Sequence, residues 1–222
     1  MDIFSKIGLD LRNKNPEEII IEIITWVKNR WQSIASIAGI LVVFGGLAIY
    51  FISNYNSAKI QSWEKISYAQ GYASQEMTAQ AIQLLDEIIS KYPNSDVGQF
   101  AKFTKAEISY KTNNFNLAAS LYQEIVTSGK SKNITPFAYA GLGNSKENLG
   151  KFQEAISAYN EFLAKNPDHF LASRIYDSLA RCYLLNGNAE QAKEIYNKIV
   201  TLYPGSYWSN QLQKQAQPQQ NK

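Results

Sequence analysis

The chain has 222 residues, 45% of them hydrophobic and 18% charged, with 22 basic against 19 acidic side chains and a net charge of +3. One His and one Cys exclude an internal disulfide, a Cys/His zinc site and a thioredoxin-type cysteine pair. The near balance of charge lacks the clustered basic face that nucleic acid requires, so no nucleic-acid partner is expected.

The first element is announced by Asn15-Pro16-Glu17-Glu18. A side-chain cap, Pro in the first turn and acids at the positive end of the helix dipole make a helix start. Glu18, Glu22, Thr25, Asn29 and Gln32 then fall on one stripe, and Ile19, Ile20, Ile23, Val27 and Trp31 fall opposite. Such a piece lies on the cytoplasmic leaflet, docks a partner helix or extends the membrane helix that follows.

That helix is Ser33 to Ile52, twenty residues without a charge. At 1.5 Å per residue it is about 30 Å long, the hydrocarbon thickness of a bilayer. Trp26, Arg30, Trp31, Tyr50 and Tyr55 stand where interfacial anchors belong. The five acids before it (Asp2, Asp10, Glu17, Glu18 and Glu22) and the absence of a small-x-small cleavage pattern argue for an uncleaved signal anchor. Lys14, Lys28 and Arg30 on the N-side against Lys59 and Lys65 on the C-side favour a cytoplasmic N-terminus and an external C-terminal domain. Ala35 and Gly39 form a small-xxx-small pair that leaves a homo-oligomer open.

Beyond residue 54 the chain repeats. Ala81, Ala118, Ala155 and Ala192 recur every 37 residues, and Ala69, Ala106, Gly143 and Ala180 recur twelve places earlier. Leu85, Tyr122, Tyr159 and Tyr196 keep the register, as do Ile89, Val126, Leu163 and Val200. Pro93, Pro167 and Pro204 end three units, with Lys130 in the fourth place. Each unit reads as two helices whose small residues mark close backbone crossings. Turns are expected at Asn148-Leu149-Gly150-Lys151 and Asn186-Gly187-Asn188. A helix pair cannot bury its apolar face alone, so four stacked units make one α-solenoid. Tyr207, Trp208 and Leu212 suit a capping helix, followed by a polar tail.

The third unit, AYAGLGNSKENLGKFQEAISAYNEFLAKNPD, closely resembles a tetratricopeptide (TPR) repeat through Leu142, Gly143, Gly150, Phe152, Ala155, Tyr159 and Pro167. The fourth matches through Leu179, Ala180, Tyr183, Gly187, Ala192, Tyr196 and Pro204. The second departs at Lys105, where leucine is usual, and at Lys130; the first departs in its turn, Ser74 to Thr78. The resemblance implies an all-α fold in which the first helices line a concave groove. Carried over to this chain, the groove positions are Trp63, Ile66, Gln70, Phe100, Phe103, Glu107, Tyr110, Phe137, Asn144, Glu147, Arg174, Asp177 and Arg181. Five aromatics would form a wall followed by a charged end, suited to apolar peptide segments, unless several pack on the neighbouring second helix. The lysine–asparagine clamp of some TPR domains is missing, because Ala140 stands where the lysine partner of Asn144 should be. An acidic chaperone tail is therefore not expected there.

Other chemistry is sparse. His169 reads as a solvated turn residue and Cys182 as a small buried hydrophobe. Gly141-Leu-Gly143-Asn-Ser-Lys146 lacks the spacing of a phosphate loop. Asp86, Glu87, Glu154 and Glu161 fall at outward positions without a paired partner to tune them. No metal, no cofactor and no enzyme activity are expected.

The layout is a cytoplasmic segment 1–32 with its amphipathic helix, a transmembrane helix 33–53 and a juxtamembrane linker 54–61. A solenoid 62–206 follows, with units starting at 62, 99, 136 and 173, then a capping helix and polar tail 207–222. An anchor followed by a small TPR-like domain resembles the YfgM-type ancillary subunits of the bacterial Sec translocon, often grouped with the CpoB-like TPR family. That resemblance implies a scaffold at the outer face of the bacterial cytoplasmic membrane, contacting the translocon and periplasmic chaperones. The alternatives are an envelope-assembly or cell-division adaptor, or a cytoplasm-facing adaptor if the topology is reversed.

Overall fold

The computed structural model describes residues 15–216, with side chains up to Gln213. Asp2, Asp10, Lys14 and the end of the polar tail lie outside the described residues. Among the described residues there are ten α-helices and no strand. The chain divides into two compact units, Met1–Lys59 and Ile60–Lys222.

In the first unit, α1 (Pro16–Asn29) starts as expected, with Pro16 in the first turn beside Glu17 and Glu18. Asn15 takes the extended N-cap conformation, but its side chain makes no cap hydrogen bond. α2 (Trp31–Ser74) carries the apolar stretch. It is the one described helix long and apolar enough to cross a membrane, and none of its apolar window is buried in the protein. The stretch 54–61, expected as a linker, is helical. No proline stands between Trp31 and Ser74 to stop the helix.

In the second unit four helix pairs follow one another. The end of α2 pairs with α3 (Thr78–Lys91), and α4 (Asp96–Lys111) with α5 (Phe115–Ser128). α6 (Thr135–Asn148) pairs with α7 (Phe152–Lys165), and α8 (Ala172–Leu185) with α9 (Ala189–Leu202). α10 (Tyr207–Ala216) packs against α9. Both small-residue columns are in the core: Ala69, Ala106, Ala180, Ala81, Ala118, Ala155 and Ala192 are 0% exposed, and Gly143 is buried. Gly143 shows why size matters, since a Cβ there would lie 2.2 Å from the Tyr159 ring.

The fourth apolar column needs a shift of one place. Ile89, Val126, Leu163 and Val200 are only half-buried, whereas Ile88, Ile125, Phe162 and Ile199 are the core residues, at 0–2% exposure. The stripe is thus i, i+4, i+7 from each alanine, which holds one helical face better than i, i+4, i+8.

The turn inside each pair keeps one left-handed residue at a 37-residue spacing: Glu76 (φ 63°), Asn113 (60°), Gly150 (71°) and Gly187 (81°). The first repeat therefore keeps the turn that its sequence disguises. Glu76 holds a conformation that costs an L-residue about 1–2 kcal/mol. The second repeat ends without proline because Gly129, left-handed at φ 58°, caps α5 instead. Lys105, in place of leucine, keeps its side chain largely covered and pairs with Asp86 on α3 at 2.6 Å.

Candidate peptide-binding groove

The first helices carry another column at the repeat spacing: Trp63, Phe100, Phe137 and then Arg174. The rings touch. Trp63 and Phe100 lie 5.3 Å apart between centroids, Phe100 and Phe103 6.4 Å, and Phe103 and Phe137 6.5 Å. Phe103 also meets the ring of Tyr122 on α5 at 5.9 Å, so it is wall and core together. Trp63 and Phe137 remain 40% and 38% exposed.

Two expected positions fall elsewhere. Ile66 is 2% exposed and belongs to the core, because Ser62, Ile66 and Ala69 form the buried stripe of α2. Tyr110 leaves the ring series, packing on Phe115 at 5.3 Å and accepting a hydrogen bond from Asn148 Nδ2 at 2.9 Å. The series instead continues into residues that the sequence did not flag. Phe137 meets His169 at 5.5 Å and Phe170 at 6.0 Å, and His169 stacks on Phe170 at 4.4 Å. His169 is half-buried among these rings and Phe162, not solvated, and its Nδ1 accepts from the Leu171 N–H at 3.2 Å. Phe170 is 74% exposed. It immediately follows the His, but a linker residue has no helical period to betray it.

The charged end is held internally. Arg181 donates to both carboxylate oxygens of Glu147, at 2.6 and 3.0 Å, and to Asp177 at 3.2 Å. The Tyr159 hydroxyl donates to Asn144 Oδ1 at 2.8 Å, with Glu147 Oε2 3.1 Å away. Burial raises the Asp177 pKa above the ordinary carboxylate value, and Arg181 only partly offsets this. Arg181 thus joins the fourth repeat to the third, while Asn144 is occupied within the third by Tyr159. Arg174 is exposed and has no ion pair among the described residues. Glu107 accepts a hydrogen bond from the Tyr122 hydroxyl, whose pKa is raised by burial and by that carboxylate.

Three clefts sit on this face, and one of them, of about 380 Å³, brings Gln70 beside Phe100, Phe103, Glu107 and Lys111; two others follow it along the groove. One, of about 380 Å³, is lined by Phe103, Glu107, Lys111, Phe137, Asn144 and Arg174 among others. The other, of about 610 Å³, lies among Trp63, Phe100, Phe103, Phe137 and the segment 130–134. Cys182 is 0% exposed, and burial pushes its thiol up to about 12. The glycine pair 141 and 143 lies inside α6, not in a loop.

The four outward carboxylates are paired, against expectation. Asp86 holds Lys105, Glu87 holds Lys65 at 2.6 Å, Glu154 holds Lys146 at 2.5 Å, and Glu161 holds Lys165 at 3.1 Å. Lys65–Glu87 and Lys102–Glu124 are one contact repeated 37 residues on, and Tyr139 donating to Glu161 at 3.0 Å is its third copy.

Two tetratricopeptide-repeat models match the chain, over residues 67–95 and 141–207. No curated protein matches it. Among solved structures, MamA from AMB-1 is similar at 20% identity and a TM-score of 0.53, covering 64% of this chain and 79% of its own. MamA from Desulfovibrio magneticus RS-1 is 16% identical, with a TM-score of 0.55 over 66% of this chain and 77% of its own. A kinesin light chain of Podosopora anserina, with nearly identical TPR-like repeats, is 15% identical, with a TM-score of 0.56 over 67% and 77%. At such identities the likeness is one of fold alone.

Proposed function

We propose, from the tetratricopeptide-repeat matches over residues 67–95 and 141–207 and the fold they share, that the chain is a protein-interaction scaffold, anchored by a single membrane pass, whose groove holds apolar peptide segments of its partners. The observation that carries this reading is the series of touching, half-exposed rings from Trp63 to Phe170 on the first-helix face. Aromatic side chains supply large contact area at low entropic cost, so an exposed aromatic face suits recognition of apolar segments. Anchoring through 33–53 would raise the effective concentration of captured segments at the bilayer without any catalysis.

The finer reading puts the N-terminus in the cytoplasm and the solenoid outside the bacterial cytoplasmic membrane, next to the Sec translocon and periplasmic chaperones. Its support is the lysine and arginine bias around the span and the resemblance of the layout to the YfgM-type family. The test uses Asn160→Cys, exposed on α7, in a Cys182→Ser background. Labelling of intact cells by a thiol reagent that cannot cross the inner membrane supports the external placement. Pull-down should then retrieve translocon subunits and chaperones. Recovery of cell-wall or division proteins would favour the envelope adaptor instead. Protection until lysis would place the solenoid in the cytoplasm and end the secretion reading.

A further inference from the structure

The 610 Å³ cleft is lined by the first three repeats, and its lining carries more cations than carboxylates, as does that of its neighbour. This inference rests on the groove being a peptide-binding face and specifies which peptides enter. Trp63, Phe100, Phe103 and Phe137 form its apolar side, and the inter-repeat segment 130–134 forms its rim. That segment is the connection that lacks proline, and in its place it brings Lys130 and Lys132. Lys130 Nζ donates to Asn94 Oδ1 at 2.5 Å, a neutral partner. Lys132 is exposed and has no ion pair among the described residues. Asp96 is the carboxylate lining the cleft, and it stands in the first turn of α4, where the helix N-terminus offsets its charge. The neighbouring cleft, which shares Phe103 and Phe137, adds Lys111 and Arg174 against Glu107, already hydrogen-bonded by Tyr122. Across both clefts the lining carries four cations (Lys111, Lys130, Lys132 and Arg174) and two carboxylates (Asp96 and Glu107).

We propose that the cleft binds a peptide segment in which an aromatic or leucine side chain adjoins Asp or Glu. The apolar side chain enters among Trp63, Phe100 and Phe137, and the carboxylate pairs with Lys132, with Lys130 exchanging Asn94 for the same group. This is a different place from Ala140, where the clamp lysine is missing. The rings select against a merely anionic surface, and the lysines select against an apolar segment flanked by basic residues.

The test uses the full chain in nanodiscs of neutral phosphatidylcholine and three fluorescent peptides in one Gly/Ser frame. Their cores are Asp-Asp-Phe-Leu, Lys-Lys-Phe-Leu and Asp-Asp-Ala-Ala, and binding is read by anisotropy. Asp-Asp-Phe-Leu should bind roughly tenfold tighter than either relative, and added salt should erode its advantage over the lysine peptide. Lys132→Glu should remove that preference with the helical circular dichroism unchanged, while Lys198→Glu on α9 should leave it intact. Equal affinity of the acidic and basic aromatic peptides overturns the charge selection and leaves the groove reading standing. No binding of either aromatic peptide overturns both. Asp-Asp-Ala-Ala binding as well as Asp-Asp-Phe-Leu, or full displacement by phosphatidylglycerol vesicles, overturns the proposal in favour of a generic anionic-surface patch.

Discussion

The second and fourth repeats build the same helix pair from different residues. The fourth follows the family pattern, with Leu179 buried at 1%, a glycine at the left-handed turn position 187, and Pro204 after α9. The second lies in neither matched stretch. It reaches the same geometry with Lys105 paired to Asp86, Asn113 in the left-handed turn, and Gly129 capping the helix in place of a proline stop. What the two share is the buried set, Ala106 and Ala180, Ala118 and Ala192, Ile125 and Ile199. Shape in those columns fixes the repeat. The other columns solve a local problem in more than one way, which frees the second repeat to carry Phe100, Phe103 and the lysine rim.

The comparison breaks first if the buried set is not what holds the repeats. Phe162→Ala, at the seven-residue position of the third repeat, should cost about 3–5 kcal/mol, read as a lowered urea midpoint. A change no larger than that of a surface substitution would refute the shifted column. Gly143→Ala comes next, at about 1–3 kcal/mol through overpacking on the Tyr159 ring. Alanine stands at the equivalent positions 106 and 180, so a neutral result would mean that the ring of Tyr159 relaxes freely.

Turn chemistry should give a smaller effect of opposite sign. Glu76→Gly should stabilise the chain by about 1 kcal/mol, because it relieves a left-handed L-residue, and Gly150→Ala should destabilise it by a similar amount. A thermal melt of each variant checks both signs.

The smallest effect is electrostatic. Hydrogen bonds from Lys65, Lys146 and Lys165 hold the carboxyls of Glu87, Glu154 and Glu161 below the usual 4.5. Their stabilisation is present above that value and is lost as pH falls through the lowered folded-state values. These groups are exposed, so each is worth only a few tenths of a kcal/mol and fades in high salt. Asp177 acts in the opposite sense. Its raised pKa makes the folded state hold a proton more tightly, a stabilisation complete below 3.8 and lost as pH rises through the folded-state value. Urea midpoints across this range at low and high salt should separate the two contributions.

Most of the fold was legible because a 37-residue period repeats each constraint four times. Alanine columns cannot be explained by composition, and prolines and glycines mark where helices stop. The error of one place in the last column arose because both Ile88 and Ile89 are apolar, and likewise Phe162 and Leu163; periodicity alone does not choose between neighbours. The groove was legible where it shares the repeat spacing, at Trp63, Phe100 and Phe137. It was illegible where side chains cross between repeats. Arg181 looks like a free cation until Glu147, 34 residues away, is folded against it. His169 and Phe170 sit in a linker, where no period assigns a face.

The central claim is that partner segments lie along the ring-lined face of the first helices. A photo-crosslinking amino acid at Phe137, compared with one at Asn160 on the exposed side of α7, tests it most directly in intact cells. The account predicts discrete protein adducts from position 137, diminished by Phe100→Ala, and none from position 160. Equal adducts from both positions, or adducts from 160 alone, would contradict it.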